Sequence, residues 1–276
     1  MISATTRVAA VIGSPVRHSL SPALHNAGFA ASGLDWVYTA FEVAPGEAGA
    51  ALDAMRVLGF GGLSVTMPHK EAVAALVDDL DPAARALRSV NTVVPIGDGT
   101  LKGYSTDGAG FVDWLTTEGV EIDGRTICVL GAGAAARAIV DALARAGAAA
   151  ISIVNRSAER ASDAAALAGA IGRVGKAGDV TECDIVVNAT SVGMGSSALP
   201  CEAALLHAGQ VVADIVYHPR RTAFLAAAEG AGAQAVEGLG MLVHQAVLQQ
   251  ALWTGVRPDV AAMWAAAERQ LAETGK

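Results

Sequence analysis

The chain has 276 residues, of which 53% are hydrophobic and 17% charged, and its net charge is −8 with no block of lysines and arginines. This composition excludes a disordered chain and argues against nucleic acid or an anionic membrane as a partner. No apolar run reaches the ~18–20 residues that span a bilayer, so we expect a cytoplasmic protein. The three cysteines contain no C-x-x-C pair, and we expect neither a disulfide framework nor a metal site.

Short apolar runs alternate with helical stretches along the first part of the chain. Strands are predicted over residues 7–13, 36–43, 60–67 and 89–96, and helices over residues 21–33, 47–59 and 70–80. Ser21 is a candidate N-cap of the first helix, with Pro22 in the first turn. This alternation of strands and helices predicts an α/β fold with a mainly parallel sheet.

A second α/β set begins near residue 125. Its strands are predicted over residues 125–133, 150–155, 183–190 and 210–217, and the helices over residues 134–147, 241–255 and 258–274. We place a boundary near residues 105–110, followed by a helix over residues 111–119. The sequence therefore predicts two α/β domains, and the C-terminal helices are candidates to pack back on the first.

The segment VLGAGAAA places Gly131, Gly133 and Ala136 in a G-x-G-x-x-A pattern between a predicted strand and a predicted helix. Glycines allow a tight turn, and a helix N-terminus offers free N–H groups and a positive dipole end to a pyrophosphate. We interpret the segment as a dinucleotide-binding loop, with a simple tight turn as the alternative.

The next predicted strand ends in NRSAER, which contains Asn155, Arg156, Ser157 and Arg160. An NAD-binding domain usually has an acidic residue here that accepts from the ribose 2′-OH. Guanidinium groups can instead pair with a 2′-phosphate, so the segment predicts NADP. Solvated surface arginines are the alternative, and Glu159 weakens the local positive charge.

Three further polar segments, SVTMPHK, SVNT and YSTDG, lie at predicted strand ends. Ligands of open α/β sheets bind beyond the carboxyl ends of strands, so these segments are candidates for one pocket.

Lys70 and Asp107 are the candidate proton-transfer groups of these segments. Close to a substrate hydroxyl, they could share a proton and pass it on as a hydride leaves. Taken alone, a lysine here is more often solvated, and Asp107 could be only a helix N-cap. His18, His25 and His69 stay open as rival general bases, because histidine titrates nearest neutrality.

Together, these motifs resemble the shikimate dehydrogenase family of the quinate/shikimate dehydrogenase superfamily. The similar segments run almost from end to end: GSPVRHSLSPALHN, SVTMPHK, SVNT, YSTDG, VLGAGAAARA, NRSAER, NATSVGM, DIVYHPRRTAFL and GLGMLVHQA. The resemblance implies two α/β domains with a cleft between them. Residues 1–106 and 241–276 would form the substrate-binding and catalytic domain, and residues 107–240 an NADP-binding Rossmann-type domain.

The activity that the resemblance implies is the reversible reduction of 3-dehydroshikimate to shikimate with NADPH, in chorismate and aromatic amino acid biosynthesis. Such an enzyme is an oxidoreductase that acts on a CH–OH group, and either a monomer or a homodimer is expected. Lys70 would be the acid/base, with Asp107 beside it. Ser19 and Ser21 would bind the substrate carboxylate. The residues implied at the ring hydroxyls are Thr66, Asn91, Tyr217 and Gln245.

The resemblance also implies where NADP lies. The residues implied at the pyrophosphate are Gly131, Ala132, Gly133, Ala134 and Ala135. Those implied at the adenosine phosphate are Asn155, Arg156, Ser157 and Arg160. Those implied at the nicotinamide are Thr190, Ile215, Gly238 and Met241.

Several positions depart from the family pattern. Ser64 and Ser105 stand where the family usually has asparagine, and Ser89 and Ala134 where glycine is common. Quinate or an amino-substituted shikimate, possibly with NAD, is therefore an alternative substrate. A ligand sensor without activity is a further alternative, but it would be expected to lose the lysine–aspartate pair or to gain a DNA-binding module.

Overall fold

The computed structural model describes residues 2–273 and contains two six-stranded sheets. They lie in two compact units. The first unit extends up to Thr106 and resumes at Val243, and the second unit is Asp107–Leu242. Thr274, the last residue of the predicted final helix, and the outer ends of the predicted first domain lie outside the described residues.

The elements of the first unit alternate from the start of the chain. The strands are β1 (Arg7–Gly13), β2 (Trp36–Glu42), β3 (Gly62–Val65), β4 (Asp79–Leu80), β5 (Thr92–Pro95) and β6 (Leu101–Tyr104). The helices are α1 (Ser21–Ala31), α2 (Ala48–Leu58), α3 (Lys70–Leu76) and α4 (Pro82–Leu87).

The second unit and the C-terminal helices follow. The strands are β7 (Thr126–Leu130), β8 (Ala150–Val154), β9 (Gly172–Val174), β10 (Ile185–Asn188), β11 (Val211–Asp214) and β12 (Gln234–Val236). The helices are α5 (Asp107–Thr117), α6 (Ala134–Arg145), α7 (Ala158–Ala166), α8 (Asp179–Glu182), α9 (Ala223–Gly230), α10 (Leu239–Thr254) and α11 (Val260–Glu273). Among residues 2–273, none of the helices is both long and apolar enough to cross a membrane.

The first sheet has the order β2-β1-β3-β5-β6-β4 and is mixed, because β5 runs antiparallel to β3 and β6. The other five strands run parallel to one another, so the mainly parallel sheet that the sequence predicts is confirmed, but the reversal of β5 and the strands β4 and β6 are not predicted. The antiparallel pairing of β5 with β6 comes from the tight turn between them, where Gly97 and Gly99 have positive φ and the chain reverses within a few residues. As a result, the start of β5 lies at the same edge as the carboxyl ends of β3 and β6.

The first sheet is covered on both faces. Ala10 and Ile12 of β1 join a core cluster with α2, whereas Ala9 and Val11 join a second cluster with Phe29 of α1. Side chains of a strand alternate between faces, and burial on both faces explains the unbroken apolar run VAAVI within this strand. α11 packs on α1, and the C-terminal chain from Val243 belongs to the first unit.

Two predicted helix features of the first unit are wrong. α1 begins at Ser21 itself, with Leu20 at the N-cap position and no capping side chain, and the Ser21 N–H donates to Ser19 Oγ at 3.2 Å. The helix predicted over residues 70–80 ends at Leu76, because Asp79 and Leu80 pair with β6.

The second sheet is wholly parallel, with the order β12-β11-β10-β7-β8-β9. The chain runs outward from β7 to β9 and then returns to the other side of β7 at β10. This Rossmann-type order makes the gap between β7 and β10 the switch point where ligands bind. α5 begins at Asp107, four residues before its prediction, and Gly108 permits its close approach to α6, since a Cβ there would lie 2.1 Å from the Ala138 carbonyl oxygen.

Candidate active site

Backbone hydrogen bonds bring the polar segments of the first unit to one edge of the sheet. Thr66 N–H donates to the Ile12 carbonyl at 3.0 Å, which joins the ends of β3 and β1. The Asn91 carbonyl accepts from Val65 N–H at 2.8 Å, and Asn91 N–H donates to the Tyr104 carbonyl at 3.0 Å. The start of β5 is therefore fixed between the carboxyl ends of β3 and β6.

The side chain of Asn91 ties this edge together. Its Oδ1 accepts from Thr106 N–H at 2.9 Å and from Thr92 Oγ1 at 2.8 Å, while Nδ2 donates to Thr106 Oγ1 at 2.9 Å. Thr106 Oγ1 also lies 3.2 Å from the Gln245 carbonyl on α10. The structure thus gathers Thr66, Asn91, Thr106 and Gln245 at one edge.

Lys70 is the first residue of α3 and follows the loop from β3. Its carbonyl accepts from Val90 N–H at 3.0 Å, so its backbone is attached to the segment that carries Asn91. The side chain is half-buried, so the lysine is partly accessible at the same edge. Asp107 is the first residue of α5 and belongs to the second unit.

Ser19 and Ser21 lie between β1 and the first turn of α1. Ser19 is half-buried and Ser21 is buried, and Ser21 lies near the Tyr38 phenol. Burial raises the pKa of the Tyr38 phenol, which is neutral at all ordinary pH values. Two neutral hydroxyls beside a neutral phenol can serve as donors to a carboxylate without a fixed positive charge.

Two of the three histidines that are candidate general bases are buried and bonded to other parts of the first unit. His25 is fully buried, stacks on Tyr38 with ring centroids 4.3 Å apart, and contacts Gln249 Oε1 through Nε2 at 3.2 Å. Its burial lowers the pKa of His25 to about 4. His69 is buried as well, and its Nε2–H donates to the Val43 carbonyl at 2.9 Å. His18 has an exposed side chain.

Sequence reasoning missed the buried polar chain through Tyr38, Ser64 and Gln249. The Tyr38 hydroxyl donates to Ser64 Oγ at 2.7 Å, and Ser64 Oγ donates to Gln249 Oε1 at 2.7 Å. Gln249 Nε2 in turn donates to the Asn91 carbonyl at 3.2 Å. The available signal is Gln245 and Gln249 at i, i+4 spacing, on one face of a mostly apolar helix.

The glycine-rich turn of the second unit fits a pyrophosphate. Gly131 follows β7 with φ +110°, and a Cβ there would lie 2.8 Å from Thr190 Cγ2 and 3.0 Å from the Ala189 carbonyl oxygen. Gly133 is the exposed N-cap residue of α6, and a Cβ there would meet nothing within 4 Å. The bare N-terminus of α6, which continues through Ala134 and Ala135, is open to an anion.

The segment after β8 fits a phosphate beside this turn. Ser157 is the N-cap of α7, where its Oγ accepts from Arg160 N–H at 3.3 Å, and Asn155 Nδ2 donates to the Ser157 carbonyl at 3.0 Å. The side chains of Arg156 and Arg160 are exposed. β8 pairs directly with β7, so these guanidinium groups follow the strand next to the glycine-rich turn.

The remaining predicted cofactor residues follow the strands on the other side of β7. Thr190 follows β10, Ile215 follows β11 and Gly238 follows β12. A Cβ on Gly238 would lie 2.5 Å from the Ile215 carbonyl carbon, so the two backbones are in direct contact. Met241 is buried in the first turn of α10. Tyr217 lies in the segment after β11, and burial raises the pKa of its phenol. Within residues 2–273, no group of three or more His, Cys, Asp or Glu could hold a metal ion.

Three family models match successive parts of the chain. The shikimate dehydrogenase substrate-binding domain matches residues 11–93, and the shikimate/quinate 5-dehydrogenase model matches residues 115–194. The C-terminal domain of shikimate 5′-dehydrogenase matches residues 238–268. The matches therefore fall in both units.

Whole-chain comparisons agree. The chain is 47% identical over 271 residues to a shikimate dehydrogenase (NADP(+)) of Rubrobacter xylanophilus, with 95% of each chain covered. It is 44% identical over 274 residues to the enzyme of that name from Moorella thermoacetica, covering 95% of this chain and 92% of the relative. The crystal structure of shikimate 5-dehydrogenase from Thermus thermophilus, in complex with NADP(H) and shikimate, superposes with a TM-score of 0.89 at 36% identity, covering 95% of this chain and 99% of the other. The chain therefore belongs to the shikimate dehydrogenase family.

Proposed function

We propose that this protein catalyses the reversible NADP-dependent reduction of 3-dehydroshikimate to shikimate. The observation that carries the proposal is the edge of the first sheet, where the hydroxyl and amide groups of Thr66, Asn91 and Thr106 gather and the backbone of Lys70 is attached next to Asn91. An ammonium group beside several neutral donors suits a polyhydroxylated carboxylic acid with one reacting oxygen. The names of the two relatives support the same reaction.

We assign the substrate to the first unit and NADP to the second. The match of the substrate-binding domain model to residues 11–93 supports the first assignment. The glycine-rich turn at Gly131 and Gly133, at the switch point of a parallel sheet, supports the second. The predicted residues from Gly131 to Ala135 would hold the pyrophosphate through backbone N–H groups.

In this mechanism, Ser19 and Ser21 donate to the substrate carboxylate through their hydroxyls. Asn91, Thr66, Gln245 and Tyr217 orient the ring hydroxyls. When bound, reduced NADP supplies the hydride for the substrate carbonyl carbon. Lys70 holds the proton at Nζ and delivers it to the carbonyl oxygen as negative charge develops there.

Asp107 has a supporting role in the proposed proton transfer. A carboxylate near an ammonium favours the charged form of the lysine, which is the proton-loaded form that reduction requires. In the oxidation direction, the neutral amine of Lys70 accepts the proton of the substrate hydroxyl, and the carboxylate stabilises the ammonium that forms.

We assign the preference for NADP to Arg156 and Arg160. Both side chains are exposed beside the glycine-rich turn, with Asn155 and Ser157 fixing the backbone between them. Their guanidinium groups would pair with the 2′-phosphate, and Thr190, Ile215, Gly238 and Met241 would line the nicotinamide.

The test is a two-by-two assay of the purified protein, in which shikimate or quinate is combined with NADP or NAD and the nicotinamide absorbance is followed. We expect kcat/KM to favour shikimate with NADP by about tenfold or more, which is about 1.4 kcal/mol of transition-state discrimination. A preference for quinate or NAD would overturn the substrate or cofactor assignment. Absence of turnover in every combination would overturn the activity.

The proposed partner is a small molecule, and the proposed assembly is a monomer or a homodimer. Light scattering coupled to size-exclusion chromatography measures the mass directly. A mass well above twice 27.7 kDa would contradict this proposal.

A further inference from the structure

A closed loop carries two of the proposed site residues in the second unit. β11 ends at Asp214, and the chain reaches Thr222, the N-cap of α9, eight residues later. Thr222 Oγ1 donates to Asp214 Oδ2 at 2.7 Å, so the two ends of the loop are joined. We call residues 215–221 the neck loop. It contains Ile215 and Tyr217, for which the proposed function gives roles at the nicotinamide and at the substrate.

The same carboxylate fixes the start of the neck loop from within. Val216 N–H donates to Asp214 Oδ1 at 3.0 Å, which holds the backbone between Ile215 and Tyr217. Gly238 packs directly against the Ile215 backbone on the other side. The position of the neck loop therefore depends on one buried side chain.

Asp214 also holds the neighbouring strand end through Asn188. Asn188 Nδ2 donates to Asp214 Oδ1 at 2.9 Å. Asn188 Oδ1 accepts from Thr190 N–H at 3.1 Å and from Thr190 Oγ1 at 2.7 Å. Thr190, which the proposed function also places at the nicotinamide, is thus set by the same hydrogen-bonded group as the neck loop.

Burial of the Asp214 carboxyl group carries a desolvation cost. Asp214 is 1% exposed, and burial raises the pKa of its carboxyl group. Three donors from Asn188, Val216 and Thr222 offset that desolvation. The backbone pairing of β10 with β11 needs no such group, because its hydrogen bonds are complete without side chains.

We propose that Asp214 is a positioning residue of the reaction. Through Thr222 and Asn188, it holds two segments in place, which we call the two walls: the neck loop, which contains Ile215 and Tyr217, and the turn that contains Thr190. This inference rests on the proposed function, since the walls have a role only if nicotinamide and substrate bind there. Asp214 itself is buried behind both segments and does not act on the reacting atoms.

The test removes the hydrogen bond between Thr222 and Asp214 while keeping the fold. Thr222→Val keeps the side-chain shape but loses both the bond to Asp214 and the cap bond from Leu225 N–H, whereas Thr222→Ser keeps the hydroxyl for both. The matched control is Thr126→Val, because Thr126 Oγ1 donates to Asp184 Oδ2 at 2.8 Å at the amino end of β7, on the opposite edge of the same sheet.

We expect Thr222→Val to lower kcat/KM about tenfold or more. For Thr222→Ser and for Thr126→Val, kcat/KM should stay within about threefold of the value for the unmodified protein. Asp214→Asn should lose at least as much as Thr222→Val, because an amide has one acceptor oxygen for three donors. Equal losses in Thr222→Val and Thr126→Val would overturn the inference, since general destabilisation would then explain both. Activity of the unmodified protein separates this result from failure of the proposed function.

A second readout does not depend on turnover. Calorimetry should show that Thr222→Val binds adenosine 2′,5′-bisphosphate as the unmodified protein does but binds NADP⁺ several-fold more weakly, about threefold or more. Amide exchange of residues 215–221 should be faster in Thr222→Val and unchanged in Thr222→Ser. Unchanged exchange in Thr222→Val, or equal loss of affinity for both ligands, would show that Asp214 does not position these walls.

Discussion

The Tyr38 hydroxyl donates to Ser64 Oγ at 2.7 Å, and Ser64 Oγ donates its own proton to Gln249 Oε1 at 2.7 Å. A serine hydroxyl has one proton, so Ser64 has none left to donate to a substrate. Ser64 stands where the family usually has asparagine. At this position, the hydroxyl supports Gln249, which in turn donates to the carbonyl of Asn91.

Ser64→Ala should therefore reduce stability more than catalysis. The substitution leaves the buried hydroxyl of Tyr38 without its Ser64 acceptor and removes one of the two polar contacts of Gln249 Oε1, the other being His25 Nε2 at 3.2 Å, which costs about 1–3 kcal/mol of unfolding free energy. We expect kcat/KM for shikimate to change by less than about threefold. Ser152→Ala is the matched control, because Ser152 is also buried but has only a 3.9 Å contact with Cys183 Sγ. Urea unfolding and steady-state kinetics of both variants measure the difference, and a large rise in KM without loss of stability would mean that Ser64 binds substrate.

Lys70→Met should remove the proposed proton donor. General acid–base catalysis usually contributes about 10²–10⁴ in rate, so we expect kcat to fall by that factor while the protein stays folded. Lys102→Met is the control in the same unit, because Lys102 Nζ pairs with Asp79 at 2.8 Å on the surface. Steady-state kinetics with shikimate and NADP measure both variants. Near-normal turnover of Lys70→Met would assign the proton transfer to another group.

Replacement of Arg156 by alanine should weaken NADP and leave NAD almost unchanged. The lost guanidinium pairs with a phosphate that NAD does not have, and a charge-assisted hydrogen bond of this kind is worth about 1.5–3 kcal/mol, or about tenfold or more in KM. Arg145→Ala is the control, since Arg145 pairs with Asp141 within α6. Equal losses for NADP and NAD would contradict the assignment of cofactor preference to Arg156.

The two glycines of the turn after β7 should respond differently to alanine. Gly131 has φ +110° and no room for a Cβ, so Gly131→Ala should cost about 1–3 kcal/mol of unfolding free energy. Gly133 has an ordinary φ of −79° and open space, so Gly133→Ala should cost less than about 1 kcal/mol. Its methyl group would stand where the pyrophosphate approaches the backbone, and NADP affinity should fall by about tenfold or more. Thermal unfolding and calorimetry separate the two effects, and unchanged affinity in Gly133→Ala would move the pyrophosphate elsewhere.

The sequence predicts four of the six strands of each sheet, and it misses β4 and β6 in the first unit and β9 and β12 in the second. In the second unit, strands buried on both faces produce apolar runs such as TICVL, so local patterns predict β7, β8, β10 and β11, whereas β9 and β12 have three residues each and are missed, as are α7, α8 and α9. In the first unit, β4 has two residues and β6 has four. Such short strands have too few residues for an alternation signal, and only their pairing with other strands defines them.

The support of the candidate site is less visible in the sequence than its polar motifs. Asn91 is conspicuous between apolar residues, yet its bonds to Thr106 depend on β5 running antiparallel, which the sequence does not predict. Tyr38 and Gln249 are distant in sequence from Ser64: Tyr38 meets it from β2 of the same sheet, and Gln249 meets it through the packing of α10 on the sheet. Ser21 has the residue type and setting of an N-cap, but the chain enters α1 one residue earlier, at Leu20.

Acid should destabilise the protein partly through His25. Full burial lowers the pKa of this histidine from 6.5 to about 4, so the unfolded chain binds its proton at a higher pH than the folded chain does. The contribution of the neutral His25 side chain to the free energy of unfolding is fully present above pH 6.5. It is lost as the pH falls toward 4, by about 3 kcal/mol over the whole interval. His25→Gln has no ring to protonate and should lose less stability across the same range. His207 is a control of opposite sign, because the carbonyls of Ala208 and Thr181 raise the pKa of this exposed histidine, and His207→Gln should not relieve the loss. Urea unfolding of the three proteins at several pH values measures this, and parallel curves for His25→Gln and the unmodified protein would show that His25 does not cause the acid sensitivity.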